Sequence, residues 1–369
     1  MRTLVISDLH LGSHNGVDVL RRPAARDVLL DALDGVDRLV LLGDLLELRH
    51  GPLHDALTVA QLVLRAIGER LGPGREVVLV PGNHDFRLVG SWLEWRSRDG
   101  PVALGLEDHA GPFASTGSSS IADALGPASL DVVYPGIWLR DDVYATHGHY
   151  LDRHVTVPGF ERLASGVLGR LLSAPPERAT SPDDYEVVLA PMYAFLDAIA
   201  ERVGDGRAAA PGNASARAWT RLSGHGPRRW RARLLAGAFP LGIGALNRAG
   251  IGPLTADLSG PELRRAALRA IGEVVAHLGI DARHVIFGHT HRAGPLPGDD
   301  LREWRAGGAS LLNTGCWVYE SMYLDRDWGS PYWPGGAAIL DDDGPPRFVR
   351  LLDGVGADVL RPEAEPAPA

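Results

Sequence analysis

Short apolar runs punctuated by Gly, Asp or His recur along the chain at 3–7 (TLVIS), 38–42 (RLVLL), 76–80 (EVVLV), 142–146 (DVYAT) and 284–287 (HVIF). Their length and β-branched content predict buried strands, each followed by a loop. The stretch 54–71 (HDALTVAQLVLRAIGERL) has apolar positions at helical spacing, so strands and helices alternate early in the chain. This alternation predicts an α/β layered domain. Near the C-terminal end, LLNTGCWVY, GAAILDDD and PRFVRLLD read as strands joined by tight turns, which makes the expected sheet mixed rather than purely parallel.

Residues 155–265 differ in kind, being rich in Ala, Arg, Gly and Pro with no strand runs. They read as a mainly helical, Arg-rich insertion in one catalytic domain spanning 1–355, and 356–369 reads as a disordered Pro/Ala tail. Within the insertion, 206–256 carries eight arginines and no acidic residue, although the whole chain has 37 basic and 46 acidic residues and a net charge of -9. That overall charge argues against broad tracking of nucleic-acid phosphates.

Within that basic segment, residues 234–247 (LLAGAFPLGIGALN) are apolar and flanked by Arg228, Arg229, Arg231, Arg233 and Arg248, with Trp219 and Trp230 nearby. Fourteen residues are too few to cross a hydrocarbon layer roughly 30 Å thick. Peripheral contact with a membrane, or a grip on a lipid phosphate, is one reading of this segment. A buried helical hairpin with a solvated arginine face is the plainer one. Every basic residue is an arginine, which excludes a Walker-type phosphate loop and a lysine Schiff base. The single Cys316 excludes an internal disulfide framework and reads as a small buried hydrophobe. The first residues run straight into a strand pattern without a secretory layout, so a cytoplasmic location is expected.

Each predicted strand ends in residues able to bind a metal. Asp8 and His10 follow the first, Asp44 the second, Asn83, His84 and Asp85 the third, His147 the fourth, and His289 and His291 the fifth. Taken singly, a D-x-H or G-D after a strand is more often a turn. Taken together they form a set, because groups at the carboxyl ends of strands in α/β sheets gather at one edge.

These segments, SDLHLG (7–12), GDLLE (43–47), GNHDF (82–86), THGH (146–149) and FGHTHR (287–292), resemble in order and spacing the motifs of the calcineurin-like metallophosphoesterases. The resemblance covers roughly 1–150 and 270–350. It implies two mixed β-sheets packed as a sandwich and flanked by helices, with a dinuclear metal site at the strand ends. It places Asp8, His10, Asp44 and His291 on one metal and Asp44, Asn83, His147 and His289 on the other, with Asp44 as the bridge. The mixed carboxylate, amide and imidazole set suits manganese first, then iron or zinc.

The chemistry implied is hydrolysis of a phosphoester or phosphoanhydride by direct attack of a metal-bridging hydroxide. His84 would stabilise the transition state or protonate the leaving oxygen, with Asp85 fixing its tautomer. His149 and Arg87 are candidates for contact with substrate. GDLLELRHG and GNHDF lack the early arginine and the GNHE of the serine/threonine protein phosphatases. The motif text is closer to the UDP-diacylglucosamine pyrophosphatase branch, which points to a small-molecule or lipid-linked substrate. That branch usually carries arginine where His84 stands and an acid where His149 stands. A non-catalytic binding scaffold on the same fold is the alternative, but such a scaffold would be expected to lose His84 or a ligand.

Overall fold

The computed structural model describes residues 1–98, 102–155, 179–203, 260–321, 324 and 329–362. The five expected strands all form: β1 (Thr3–Ile6), β2 (Arg38–Leu41), β3 (Glu76–Leu79), β6 (Val143–Thr146) and β7 (His284–Phe287). The later runs give β9 (Ala309–Asn313), β10 (Gly336–Leu340) and β11 (Arg347–Arg350). Three further strands were not legible in the sequence: β4 (Glu107–His109), the long β5 (Ser129–Arg140) and the two-residue β8 (Arg305–Ala306). Pro135 and Gly136 argue against a central strand on sequence grounds. In the structure Pro135 lies where β5 changes partner: residues 129–132 pair with β3, and 136–140 pair with β6.

That change of partner joins two half-sheets into one curled ladder, in the order β11-β10-β1-β2-β3-β5-β6-β7-β9-β8, with β4 alongside β5. β1, β2, β3 and β5 are mutually parallel, as are β6, β7 and β9, while β10, β11 and β8 run antiparallel to their neighbours. Side chains alternate between two buried layers because successive Cβ atoms point to opposite faces. Val5, Val40, Val78 and Val133 from one half meet Ala145, Ile286 and Leu312 from the other in an inner apolar layer. Their neighbours Leu4, Ile6, Leu39, Leu41, Val285 and Phe287 face a larger outer layer covered by helices. The mixed, helix-flanked sandwich is therefore present, with its two sheets continuous through β5.

Helices α1 (Pro23–Ala32), α2 (Leu53–Leu71), α3 (Arg87–Arg98) and α4 (Thr116–Leu125) lie between the early strands. α4 starts at a capping box in which the side chains of Ser115 and Ser118 each bond the other's backbone. Between β6 and β7, the described residues form a short 3-10 helix (His149–Arg153), α5 (Pro182–Val203) and α6 (Gly260–His277). The rest of the expected insertion, 156–178 and 204–259, lies outside the described residues, and with it the basic 206–256 segment and its apolar core. Among the described residues no helix is long and apolar enough to cross a membrane. The expected tail needs correction. Ala357–Leu360 forms a short helix, α7, whose Leu360 is fully buried in the outer apolar layer, so order extends past residue 356. Residues 363–369 lie outside the described set.

The contact between α2 and α4 depends on Gly68, where an added Cβ would sit 1.7 Å from the carbonyl oxygen of Leu125. Backbone cannot yield there as a flexible side chain would, so the two helices would have to part. Gly68→Ala is expected to cost about 1–3 kcal/mol or more, read as a lowered denaturant midpoint. Unchanged stability would contradict this packing.

Candidate metal centre

The loops that follow β1, β2 and β3 are stitched together by their own backbone. Asp8 N donates to Gly43 O at 3.0 Å, His10 N to Asp44 O at 2.8 Å and Leu11 N to Leu45 O at 2.9 Å. Among the described residues, the non-glycine positions with left-handed φ are Asp8, His10, Asp44, His289 and His291. All five are expected ligands. Such conformations cost on the order of 1 kcal/mol each and persist only where surrounding structure enforces them. Gly43 sits within this crowding: at φ 85° an added Cβ would lie 2.2 Å from His147 Nδ1.

Three groups of candidate ligand atoms occur among the described residues: one joins His10, Asp44 and His84, and the other two are built from expected ligands alone. Those of Asp8, His10 and His291 lie within 4.8 Å of one another, as do those of Asp44, His147 and His289. Asp44 Oδ2 stands 3.8 Å from His10 Nε2 and 3.3 Å from His147 Nε2, so it faces both groups. Asn83 Oδ1 completes the second, 3.1 Å from His147 Nε2 and 3.1 Å from His289 Nδ1.

The family model described as calcineurin-like phosphoesterase matches residues 1–221. The chain belongs to the calcineurin-like phosphoesterases. No curated protein matches it. Solved structures similar to this phosphoesterase include a cold-active protein-tyrosine phosphatase of a psychrophilic Shewanella species, at 14% identity, a TM-score of 0.30, and coverage of 94% of this chain and 80% of that one. A further structure of a cold-active protein tyrosine phosphatase matches at 14% identity and a TM-score of 0.26, covering 94% of this chain and 78% of that one. Likenesses this low carry no weight for activity.

The donor set of this phosphoesterase fits cations. His147 Nδ1 donates to the carbonyl of Leu42 at 2.9 Å, a group that can only accept, which turns Nε2 inward. His10 Nδ1 meets Glu47 Oε2 at 3.0 Å, and its inward Nε2 faces His291 Nε2 at 3.1 Å. Asp8 Oδ1 is buried with no hydrogen-bond partner. Acceptor thus faces acceptor across the cluster, and only positive charge, as protons on the imidazoles or as cations, relieves that arrangement.

The titration behaviour agrees. Burial pulls His10 and His147 down, but their carboxylate partners outweigh it: Glu47 and Asp44 push His10 up to about 9, and Asp44 and Asp8 push His147 up to about 10. Burial likewise opposes ionised Asp44 and Glu47, yet the facing histidines hold both well below the usual carboxylate range.

Sequence reasoning missed Glu47, the last residue of GDLLE. It is 4% exposed, and its carboxylate bonds His10 Nδ1 and, at 2.9 Å, His84 Nδ1. The only signal was an acid three residues after Asp44. Glu47 occupies the role expected of Asp85, and that expectation is corrected. Asp85 accepts from Gly82 N at 2.6 Å, Leu45 N at 2.7 Å and Leu46 N at 3.4 Å, fastening the third loop to the second. Burial, then Asp44, pushes Asp85 up to about 7.

His84 joins the cluster with its side chain 23% exposed, edge-on to His10 at 4.6 Å. Arg49, which donates to Asn83 O at 3.3 Å, is a second group sequence reasoning did not place. His149 is not where a substrate contact would be. It is 1% exposed, its Nε2 lies 3.1 Å from Tyr134 Oη, and its ring packs among Tyr134, Tyr150 and Tyr193, 5.6 Å behind His147. Arg87 is exposed at the start of α3, lining a cleft of about 650 Å³ between α3 and α5 rather than joining the ligand cluster.

A histidine whose folded pKa is raised contributes stability that is full below about 6.5 and is lost as pH climbs through the folded value. The metal-free chain should therefore lose thermal stability progressively between about pH 6.5 and 10, the interval over which folded His10 and His147 still hold protons that the unfolded chain has released. Excess Mn(II) should flatten that decline, since a cation replaces the protons. A melting temperature independent of pH over this range in the chelated protein would contradict the charge balance.

Proposed function

We propose that this metal-dependent phosphoesterase is a dinuclear hydrolase of a small-molecule phosphoester or phosphoanhydride. The observation that carries the reading is the pair of ligand groups Asp8–His10–His291 and Asp44–His147–His289, with Asp44 Oδ2 facing both and five of these six residues held in left-handed backbone conformations. Asp8, His10, Asp44 and His291 would hold one cation, and Asp44, Asn83, His147 and His289 the other, manganese suiting these donors best. Bound cations lower the pKa of water and neutralise phosphoryl oxygens, which is what direct hydrolysis at phosphorus requires.

The remaining groups are the chain's own contribution. His84 stands beside the shared carboxylate, its backbone N–H donating to Asp44 Oδ1 at 2.8 Å and its ring fixed by Glu47. Burial and the charge of Arg49 pull His84 down to about 4, so the ring is neutral near pH 7 in the absence of substrate. An arriving phosphoryl dianion opposes Arg49 in sign and favours the protonated ring, which Glu47 then steadies. That imidazolium is placed to pass its proton to the leaving oxygen. Asp85 serves by holding the loop that carries Asn83 and His84. A lipid-linked substrate rests on the motif text and on the basic 206–256 segment, and stays secondary.

Metal analysis combined with turnover of p-nitrophenyl mono- and diesters tests this reading. The wild-type chain should hold two ions and hydrolyse at least one ester class. His84→Ala should keep both ions while turnover falls roughly 100-fold or more. Full activity in metal-loaded His84→Ala would remove His84 from the mechanism.

A further inference from the structure

His289 presents its nitrogens in the opposite sense from His10 and His147. Those two turn Nε2 inward and give Nδ1 to an acceptor, whereas His289 turns Nδ1 to Asn83 Oδ1 at 3.1 Å and gives Nε2 to Asp152 Oδ1 at 2.8 Å. We propose that Asp152 is a positioning residue that selects the Nε2–H tautomer of His289 and thereby governs occupancy of the Asp44–Asn83–His147–His289 cation position. The inference rests on the dinuclear reading and adds to it a residue outside the ligand set.

An imidazole ligand must offer a lone pair to the metal, and the hydrogen bond on its other nitrogen decides which one is free. Asp152 is a pure acceptor when ionised, so its contact forces the proton onto Nε2 and leaves Nδ1 for the cation. The backbone N–H of His289 is separately held by Asp8 Oδ2 at 3.0 Å. Ring orientation is thus set by Asp152 and main-chain position by Asp8.

Asp152 is itself held in place. It lies on the 3-10 helix that follows His147, and α5 braces that helix from the side. Tyr150 stacks on Tyr185 at 4.6 Å and donates to Glu186 Oε1 at 2.5 Å, and Arg153 donates to Asp184 O at 2.8 Å. The described helix of the insertion therefore reaches His289 through one turn of chain.

The test uses the full chain as wild type, Asp152→Ala and Asp152→Asn, with Mn(II) stoichiometry and affinity read by competition against a chelator. Asp152→Ala should retain one ion at wild-type affinity and bind the second roughly 10–100-fold more weakly. Asp152→Asn, whose amide oxygen still accepts from Nε2–H, should restore the second ion to within a few-fold of wild type. Two ions at wild-type affinity in Asp152→Ala would overturn the inference. Nitrogen-15 NMR of the imidazoles in the metal-free wild-type chain gives a readout that needs neither a variant nor a metal. A proton on Nε2 of His289 supports the assignment, and one on Nδ1 alone overturns it. A wild-type chain that binds no ions would instead defeat the dinuclear reading, with the tautomer still deciding the role of Asp152.

Discussion

Three carboxylates, those of Asp8, Asp44 and Glu47, are buried together at the carboxyl ends of the strands, and the surrounding structure answers their charge. Like charges about 4 Å apart cost about 4 kcal/mol at an effective dielectric near 20, and burial adds a further penalty. No fold tolerates that without compensation. Here it comes from imidazoles brought in by loops from distant parts of the chain, which either carry protons or would hold cations in place of them. The tight loops, the left-handed residues and the glycine packed on His147 all follow from crowding so many polar groups into one dry volume.

The sheet makes that crowding affordable. β1, β2 and β3 are parallel and end at one edge, and β6 and β7 end near it because β5 carries the ladder from one half-sheet to the other. Apolar layers on both faces fix the strands, each buried valine or leucine contributing roughly 1.5–3 kcal/mol, so strain in the loops is borne by a rigid base. Hydrogen bonds donated to Asp85 by the backbone N–H groups of Gly82, Leu45 and Leu46 then tie neighbouring loops to one another. The carboxylate next to His84 in sequence thus acts on the backbone of the loops and not on the imidazole.

Legibility in the sequence followed the same logic. Asp8, His10, Asp44, Asn83, His147, His289 and His291 were readable because each stands at the end of an apolar run, where geometry is nearly dictated by the strand. The contacts of Glu47 with His10 and His84, and of Asp152 with His289, were not, because they depend on how a loop or short helix folds back. Asp85 misled because adjacency to His84 says nothing of direction: neighbouring side chains on a turn diverge. β5 was hidden by Pro135, which is tolerated at the point where the strand exchanges one partner for another. His149 looked like a specificity residue and is instead buried among three tyrosines, two of which, Tyr134 and Tyr193, lie far from it in sequence.

Electron paramagnetic resonance during titration of Mn(II) into the chelator-treated chain reports on the shared carboxylate itself. Two ions held by a shared Asp44 carboxylate would couple their spins. The expected result is uptake of two ions per chain with a coupled spectrum that replaces the isolated-ion signal as the second ion enters. Saturation at one ion, or two ions with independent signals, would contradict a centre organised around Asp44.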